Sequence, residues 1–244
     1  MEKIINSNSQ KIVFVISLLI SMLNFFLIFN FFKTKIILRE HKEDLYLLFL
    51  TIIFIMFVSL SSSPGLDTII SVISSISNSG LSLIQPEENL SLFYLLIVSL
   101  GGSIVSNTSG IKFIRVYILI KTVSAEINKL ISPNSIINKN MFNTDKRITD
   151  ENVKISFLIF ISFFISLFIL SGILIVDQIN FENSFKLSIL TITNTTTSTM
   201  FGMDDLNFAS LLTTSKLSLI IFMIIGKIEL ISIFLIIKKC FFKD

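Results

Sequence analysis

The sequence predicts an all-α integral membrane protein in which one span precedes two copies of a span, a short helix, a polar strip and a second span. Three observations support this fold class. Hydrophobic residues make up 52% of the chain and charged residues only 15%, whereas charged residues are about a quarter of soluble domains. Several apolar segments are long enough to cross a bilayer. A polar pattern recurs at a fixed offset along the chain.

Five apolar segments reach the length of about 20 residues that a transmembrane helix needs. These segments are residues 12–32, 45–62, 90–120, 154–176 and 209–237. The first lacks the small-residue cleavage site of a signal peptide, so we expect it to be retained as a span.

The distribution of Lys and Arg predicts the orientation of the spans. Basic residues concentrate in the connectors 33–44 and 112–154 and in the carboxyl-terminal tail. The connector 63–89 has no Lys or Arg, and the connector 177–208 has only Lys186. Because basic connectors stay in the cytoplasm, we expect five crossings with the amino terminus outside and the carboxyl terminus inside.

The composition disfavours an enzyme or a metalloprotein. Cys240 is the single cysteine and His41 the single histidine, so no Cys/His metal site can be assembled. The single histidine lies in a charged connector, so no set of nucleophile, base and orienting residue can be assembled. We therefore expect no catalytic residues, no cofactor, no resident metal and no nucleic-acid partner.

Two uncharged polar strips are the candidate binding elements. A short helix predicted at 66–77 leads into the strip 77–83, whose candidate residues are Ser77, Asn78, Ser79, Gly80 and Leu81. The candidate residues of the second strip are Thr193, Asn194, Thr195 and Thr196. Backbone carbonyls and hydroxyls can replace the hydration shell of a monovalent cation, and glycine lets the backbone turn so that successive carbonyls face the same way. The strips therefore predict the walls of an ion filter.

The two strips are related by a constant offset. The order hydroxyl, Ile, hydroxyl, Asn, hydroxyl in Ser75–Ser79 recurs in Thr191–Thr195, 116 positions later. The same offset carries Gly110 onto Gly226. Chance similarity of Ser/Thr-rich runs is the alternative, and agreement at both places favours an internal repeat.

The segment 90–120 is interrupted by a run of small and polar residues from Gly101 to Gly110. Its candidate residues are Gly101, Gly102, Ser103, Ser106, Asn107 and Gly110. Broken helices at membrane depth line cavities in transporters. A helix-packing face of small residues is the alternative, but such a face would keep helical spacing, whereas this run is contiguous.

Lys227 lies inside the last predicted span, two residues before Glu229. A charge within the membrane is costly and usually faces a pathway or a partner. We expect Lys227 to face a conduction path. If the span ends early, both charges could instead reach the cytoplasmic interface.

Three stretches of the chain resemble the Trk/Ktr/HKT superfamily of potassium transporters, most closely the bacterial TrkH-type subunit. These stretches are Ser77–Leu83, Gly101–Arg115 and Gly226–Glu229. The resemblance implies a pore of four span–pore helix–filter–span repeats in the bacterial inner membrane, which transports potassium, with sodium as the alternative. It implies that Gly80 is a filter glycine, that Gly101–Gly110 is an intramembrane gating loop, and that Lys227 is a charge in the pore.

The resemblance also implies a division of the chain. Residues 1–44 form a lone span and a basic cytoplasmic connector, and residues 45–130 the first pore-loop repeat with its broken second span at 90–120. Residues 131–153 form a cytoplasmic linker and residues 154–244 the second repeat. The chain would then hold repeats three and four, the carboxyl-terminal half. The expected partners are membrane lipid, a chain or oligomer that supplies the other repeats, and a cytoplasmic nucleotide-binding regulatory subunit.

The sequence departs from the family pattern at three positions. Thr196 stands where the fourth strip has a glycine, and Val105 and Ser109 stand where the loop favours glycine. These departures fit a transporter subunit with relaxed selectivity. They also fit the alternative functions of a truncated, non-conducting remnant or a membrane scaffold. An unrelated solute carrier with broken helices is a third hypothesis, and it would need a substrate-sized polar pocket.

Overall fold

The computed structural model describes most of the chain, and helices account for most of the described residues. The described residues are 5, 7–27, 42–61, 65–83, 90–132, 140–143, 147–197, 199–203 and 208–227. Within them the α-helices are α1 (Asn8–Met22), α2 (Lys42–Ser61), α3 (Leu66–Ile76), α4 (Ser91–Ser99), α5 (Phe113–Ile131), α6 (Asp150–Val176), α7 (Phe181–Ile192) and α8 (Thr213–Lys227). Two short strands, β1 (Leu100–Gly101) and β2 (Ile111–Lys112), pair in parallel between α4 and α5.

Two described helices, α2 and α6, are long and apolar enough to cross a membrane. Helix α6 begins at Asp150, four residues before the predicted span, because Thr149 caps it by accepting the N–H of Asn152 at 3.3 Å. Both helices expose large apolar side chains, which suits contact with lipid tails. Examples are Phe49, Met56 and Leu60 on α2, and Phe157, Ile165 and Phe168 on α6.

The expectation of one continuous first span at 12–32 is wrong in its helical extent. Helix α1 ends at Met22, and Leu23 is extended. The Asn24 side-chain oxygen accepts the N–H of Phe26 at 2.9 Å, and the Asn24 N–H donates to the Asp44 carboxylate at 3.0 Å. These side-chain contacts replace the helical hydrogen bonds at this point. The basic connector 33–44 lies mostly outside the described residues. The end of the last predicted span, beyond Lys227, also lies outside them.

The two short helices, α3 and α7, are too short to span a bilayer, and their carboxyl-terminal halves are buried. Helix α3 ends one residue before the predicted limit of 66–77. Each helix ends two residues before an asparagine with positive φ, 56° at Asn78 and 52° at Asn194. Asparagine tolerates this left-handed conformation better than most residues, so the same device turns the chain away from both helices.

The structure has no continuous helix over the segment 90–120, for which the sequence predicts a break. Helix α4 stops at Ser99 and α5 starts at Phe113, and the backbone between them closes on itself through β1 and β2. Leu100 pairs with Ile111, and Gly101 pairs with Lys112. The Gly101–Gly110 loop is therefore an excursion whose two ends lie side by side.

The helices pack around the two short helices. Helices α1, α2 and α4 contact α3, while α4, α6 and α8 contact α7. Asp177, just after α6, accepts hydrogen bonds from the hydroxyls of Thr214, at 2.7 Å, and Ser215 at the start of α8. The Ser215 and Thr214 hydroxyls hold the pKa of Asp177 below its ordinary value of 3.8.

Gly226 marks the closest approach of α8 to α7. A Cβ atom built on Gly226 would lie 1.9 Å from the carbonyl oxygen of Ile192, the last residue of α7. A real Cβ atom cannot approach a backbone oxygen that closely. Helix α8 can therefore cross the end of α7 only with glycine at this position.

We predict that Gly226→Ala destabilises the protein by roughly 1–3 kcal/mol, because it overpacks this crossing against backbone. Gly172→Ala on α6 is the matched control, since a Cβ there meets nothing within 4 Å. That control should leave stability unchanged or raise it by roughly 0.5–1 kcal/mol through helix propensity. Thermal unfolding in detergent, followed by circular dichroism, compares the two, and equal midpoints would contradict the crossing.

Candidate functional site

The first strip is organised by the side chain and carbonyl of Ser74, a residue that the sequence interpretation assigned to the preceding helix. The Ser74 carbonyl oxygen accepts the N–H of Ser79 at 3.0 Å and that of Gly80 at 3.2 Å. Its hydroxyl oxygen accepts the N–H of Leu81 at 2.6 Å and pairs with the Ser79 hydroxyl at 3.0 Å. Ser74 is fully buried. These bonds direct the backbone N–H groups of the strip toward the end of α3. In the sequence, the only sign of this role is a serine in the last turn of a short predicted helix.

Asn78 links the first strip to its surroundings. Its side-chain amide donates to the carbonyl of Val98 on α4 at 2.9 Å and to the hydroxyl of Thr195 in the second strip at 3.4 Å. Its side-chain oxygen is buried and has no hydrogen-bond partner among the described residues. Ser77, at the start of the strip, is buried, and its hydroxyl donates a hydrogen bond to the Ser74 carbonyl at 3.1 Å.

Gly80 is required where the two strips meet. Its φ is +70°, and a Cβ atom would lie 2.4 Å from the carbonyl oxygen of Thr196 and 2.6 Å from the Thr195 methyl carbon. The left-handed backbone and the close approach each demand glycine. The sequence interpretation singled out Gly80 for its turn, and the structure adds the contact with the second strip.

The second strip is also held by hydrogen bonds to the short helix before it, partly through threonine hydroxyls. The Thr193 hydroxyl donates to the Ile189 carbonyl at 2.8 Å and lies 2.9 Å from the Thr195 hydroxyl. The Thr195 N–H donates to the Leu190 carbonyl at 2.8 Å. The Asn194 amide donates to the Met223 carbonyl on α8 at 2.9 Å. The strip is thus tied both to α7 and to α8.

Thr196 joins the two strips directly. Its hydroxyl donates a hydrogen bond to the carbonyl of Ser79. A glycine at position 196 could not make this bond. The structure therefore brings the two predicted strips into contact, and one strip carbonyl is occupied by a side chain of the other strip.

The Gly101–Gly110 loop lies against the end of α1. The Ser103 N–H donates to the Met22 carbonyl at 3.0 Å, and the Asn107 N–H donates to the Ser21 carbonyl at 3.2 Å. A Cβ atom on Gly102 would lie 2.4 Å from the Met22 carbonyl oxygen. The backbone carbonyls at the end of α1 therefore accept hydrogen bonds from N–H groups of the loop between α4 and α5.

Lys112 closes the loop from within, a role that the sequence interpretation did not assign. Its ammonium donates to the Thr108 carbonyl at 2.6 Å and to the Ser106 carbonyl at 3.3 Å. The side chain is buried, although the residue was counted only as a basic connector. A hydroxyl pair, Ser106 and Thr108 at 2.7 Å, completes this arrangement.

Lys227 contacts the loop from the last helix. Its ammonium donates to the Asn107 carbonyl at 2.8 Å and to the Asn107 side-chain oxygen at 3.1 Å. Two elements predicted separately, the loop and the intramembrane charge, therefore meet in the structure. Glu229, which entered the alternative of an interfacial charge pair, lies outside the described residues.

The loop ends next to the second strip. Gly110 has a φ of +76°, and its Cβ would lie 3.0 Å from the Ser99 carbonyl oxygen and 3.5 Å from the Thr193 methyl carbon. A cavity of about 20 Å³ lies between Gly110, Ile192 and Gly226. It has room for about one water molecule. Among the described residues, no group of three or more His, Cys, Asp or Glu side chains could hold a metal ion.

Three comparisons place the chain among known proteins. The family model described as "TrkH: Cation transport protein" matches residues 86–242. An uncharacterized cation transporter of Methanocaldococcus jannaschii is 26% identical over 225 residues, which cover 86% of this chain and 44% of the relative. The crystal structure of the potassium transporter TrkH from Vibrio parahaemolyticus matches 98% of this chain and 54% of its own, with a TM-score of 0.85 and 19% identity. The chain thus spans about half the length of these relatives.

We predict that Gly80→Ala separates the two strips, because its Cβ would displace the Thr196 carbonyl and the left-handed backbone would cost roughly 1–2 kcal/mol more. Hydrogen–deuterium exchange should then speed up in both 77–83 and 193–197. Gly65→Ala is the control, since a Cβ there meets nothing within 4 Å. Exchange that rises only in the first strip would show that the strips do not support each other.

Proposed function

The chain belongs to the TrkH family of cation transport proteins, and from this premise we propose that it is a subunit for uptake of potassium or another monovalent cation. The two strips would form adjacent walls of the filter, and the Gly101–Gly110 loop would be the gate. The observation that carries this proposal is the contact of Lys227 with Asn107, because it links a charged side chain on the last helix to the candidate gate.

The chemistry of the strips supports cation passage without tight binding. In the strip residues 77–81 and 193–196, the groups available to a cation are carbonyls, hydroxyls and the amide side chains of Asn78 and Asn194, with no carboxylate. Such groups can replace water around a monovalent cation and still release it. A cavity of about 560 Å³, lined in part by Asn194, Thr195 and Thr196, opens beside the second strip and gives a cation room to approach.

The half-pore architecture extends the proposal. In it, residues 45–130 and 154–244 are two span–pore helix–filter–span repeats, preceded by the span of residues 1–44 and joined by the linker 131–153. The shared asparagine turns after α3 and α7 support this equivalence. The remaining strips would come from residues outside this sequence, on the same polypeptide or on another chain, as the greater length of the relatives suggests.

The cellular setting follows from the same proposal. The protein would be a multi-pass protein of the bacterial plasma membrane, with basic connectors in the cytoplasm. Basic residues in the connectors 33–44 and 112–154 would bind a nucleotide-binding regulatory subunit. The transported cation would be the substrate, and no cofactor would be needed.

Thr196 bears on the choice between potassium and sodium. Its hydroxyl competes with a cation for the Ser79 carbonyl, since one lone pair of that oxygen is already engaged. We propose that this bond lowers the number of carbonyls free to hold a dehydrated cation. Selectivity for potassium would then be weaker than in a filter with glycine at this position.

Lys227 would act on the cation electrostatically. A fixed positive charge next to a narrow path raises the barrier for the next cation, and low local dielectric strengthens the effect. Its hydrogen bonds to Asn107 also hold the loop beside the strips. Both effects restrict flux in the closed arrangement.

We predict that Lys227→Ala increases rubidium uptake by the complete transporter several-fold at equal membrane abundance. Lys154→Ala is the control, because Lys154 is an exposed lysine on α6. Uptake equal to wild type in both variants would reject a pore role for Lys227. No uptake by the wild type, with or without the remaining repeats, would favour the non-conducting scaffold.

A further inference from the structure

Helix α2 begins with two adjacent carboxylates that bind different parts of the molecule. Asp44 is buried and accepts the N–H of Asn24, just after α1. Glu43 accepts the N–H of Ile104, within the Gly101–Gly110 loop, at 2.9 Å. Asp44 therefore fixes the position of α2 against α1, while Glu43 reaches the loop.

Glu43 and Lys227 bind different residues of the loop, Ile104 and Asn107. The Lys227 ammonium holds Asn107, three residues further along, and Lys112 holds Thr108. The loop is thus bonded by a carboxylate at its start and by two ammonium groups at its end.

The start of α2 is packed against α5 by an aromatic cluster. Tyr46 follows three residues later on the same face of α2. Its ring lies 6.0 Å from that of Tyr117 on α5 and 5.3 Å from that of Phe142. The Tyr117 hydroxyl in turn accepts the N–H of Phe142 at 3.1 Å. This aromatic cluster holds the start of α2 against α5, close to the turn that carries Glu43.

We propose that Glu43 is a positioning residue of the gate, whose carboxylate latches Ile104 and keeps the Gly101–Gly110 loop closed. The proposal rests on the proposed function, in which this loop is the gate. To open, the loop must give up the bond that the Ile104 N–H donates to the Glu43 side chain, and an N–H left without its acceptor is costly. Glu43 and Lys227 then secure the closed loop at two separate points.

The test measures exposure of the loop without relying on transport. In a Cys240→Ser background, Val105→Cys places a single thiol on the loop at a side chain that is 42% exposed. The rate of maleimide labelling in membranes reports how often the loop leaves its closed position. Rubidium uptake by the same variants reports the gate itself.

Glu43→Ala should raise the labelling rate about tenfold, the size expected when the Ile104 N–H loses its acceptor. Glu43→Asp should raise it similarly, because the shorter side chain keeps the charge but cannot span the same distance. Glu43→Gln should label as slowly as the parent, because the glutamine side-chain oxygen can still accept the Ile104 N–H. Glu151→Ala, an exposed carboxylate at the second position of α6, should leave labelling unchanged.

Labelling that stays at the parent rate in both Glu43→Ala and Glu43→Asp would overturn the latch. An equal rise in Glu43→Gln would also overturn it, since that variant keeps the acceptor. A rise in labelling confined to the Ala and Asp variants supports the latch even if no variant takes up rubidium, and that combination rejects the proposed function alone. Faster labelling together with faster uptake supports both.

Discussion

Every backbone amide and carbonyl that leaves helical structure inside a membrane must find a partner within the protein, because the lipid offers none. This chain leaves helical structure at the ends of α3 and α7 and between α4 and α5. The partners come from a small set of side chains and exposed carbonyls. Ser74 serves the first strip, the carbonyls of Leu190 and Ile189 serve the second, and the end of α1 serves the loop. The candidate cation path exists only because these partners are present.

The same constraint explains why the breaks occur together. Helix α1 stops where the loop begins to need acceptors, and the Met22 and Ser21 carbonyls freed by that stop accept loop amides. In the opposite direction, the Val105 carbonyl accepts the N–H of Phe25 at 2.8 Å. An uninterrupted α1 would leave both segments with unpaired polar groups. The interruption of the first span is therefore part of the site.

Sequence patterns predicted the elements of the site better than the contacts between them. The short helix α3 and the break after Ser99 follow from local signals, namely helical spacing and a contiguous polar run. The left-handed turns at Asn78 and Asn194 were not predicted, although asparagine tolerates positive φ. The roles of Ser74, Lys112 and Glu43 were missed, because each depends on a backbone group whose partner is set by the fold. Lys112 looked like one more basic connector residue, and no spacing rule distinguishes it from Arg115 or Lys121, which are less buried. The early end of α1 was missed for a similar reason, since Asn24 breaks the helix with the help of Asp44, twenty residues away.

The central claim is that a monovalent cation passes along the two strips where Gly80 and Thr196 meet. A structure of the complete transporter in rubidium, with the ion located by its anomalous scattering, tests this claim most directly. The account predicts a rubidium site bounded by carbonyl or hydroxyl oxygens of both 77–83 and 193–197, with the Gly101–Gly110 loop next to it. Rubidium bound elsewhere, with both strips closed against each other and no ion between them, would contradict it.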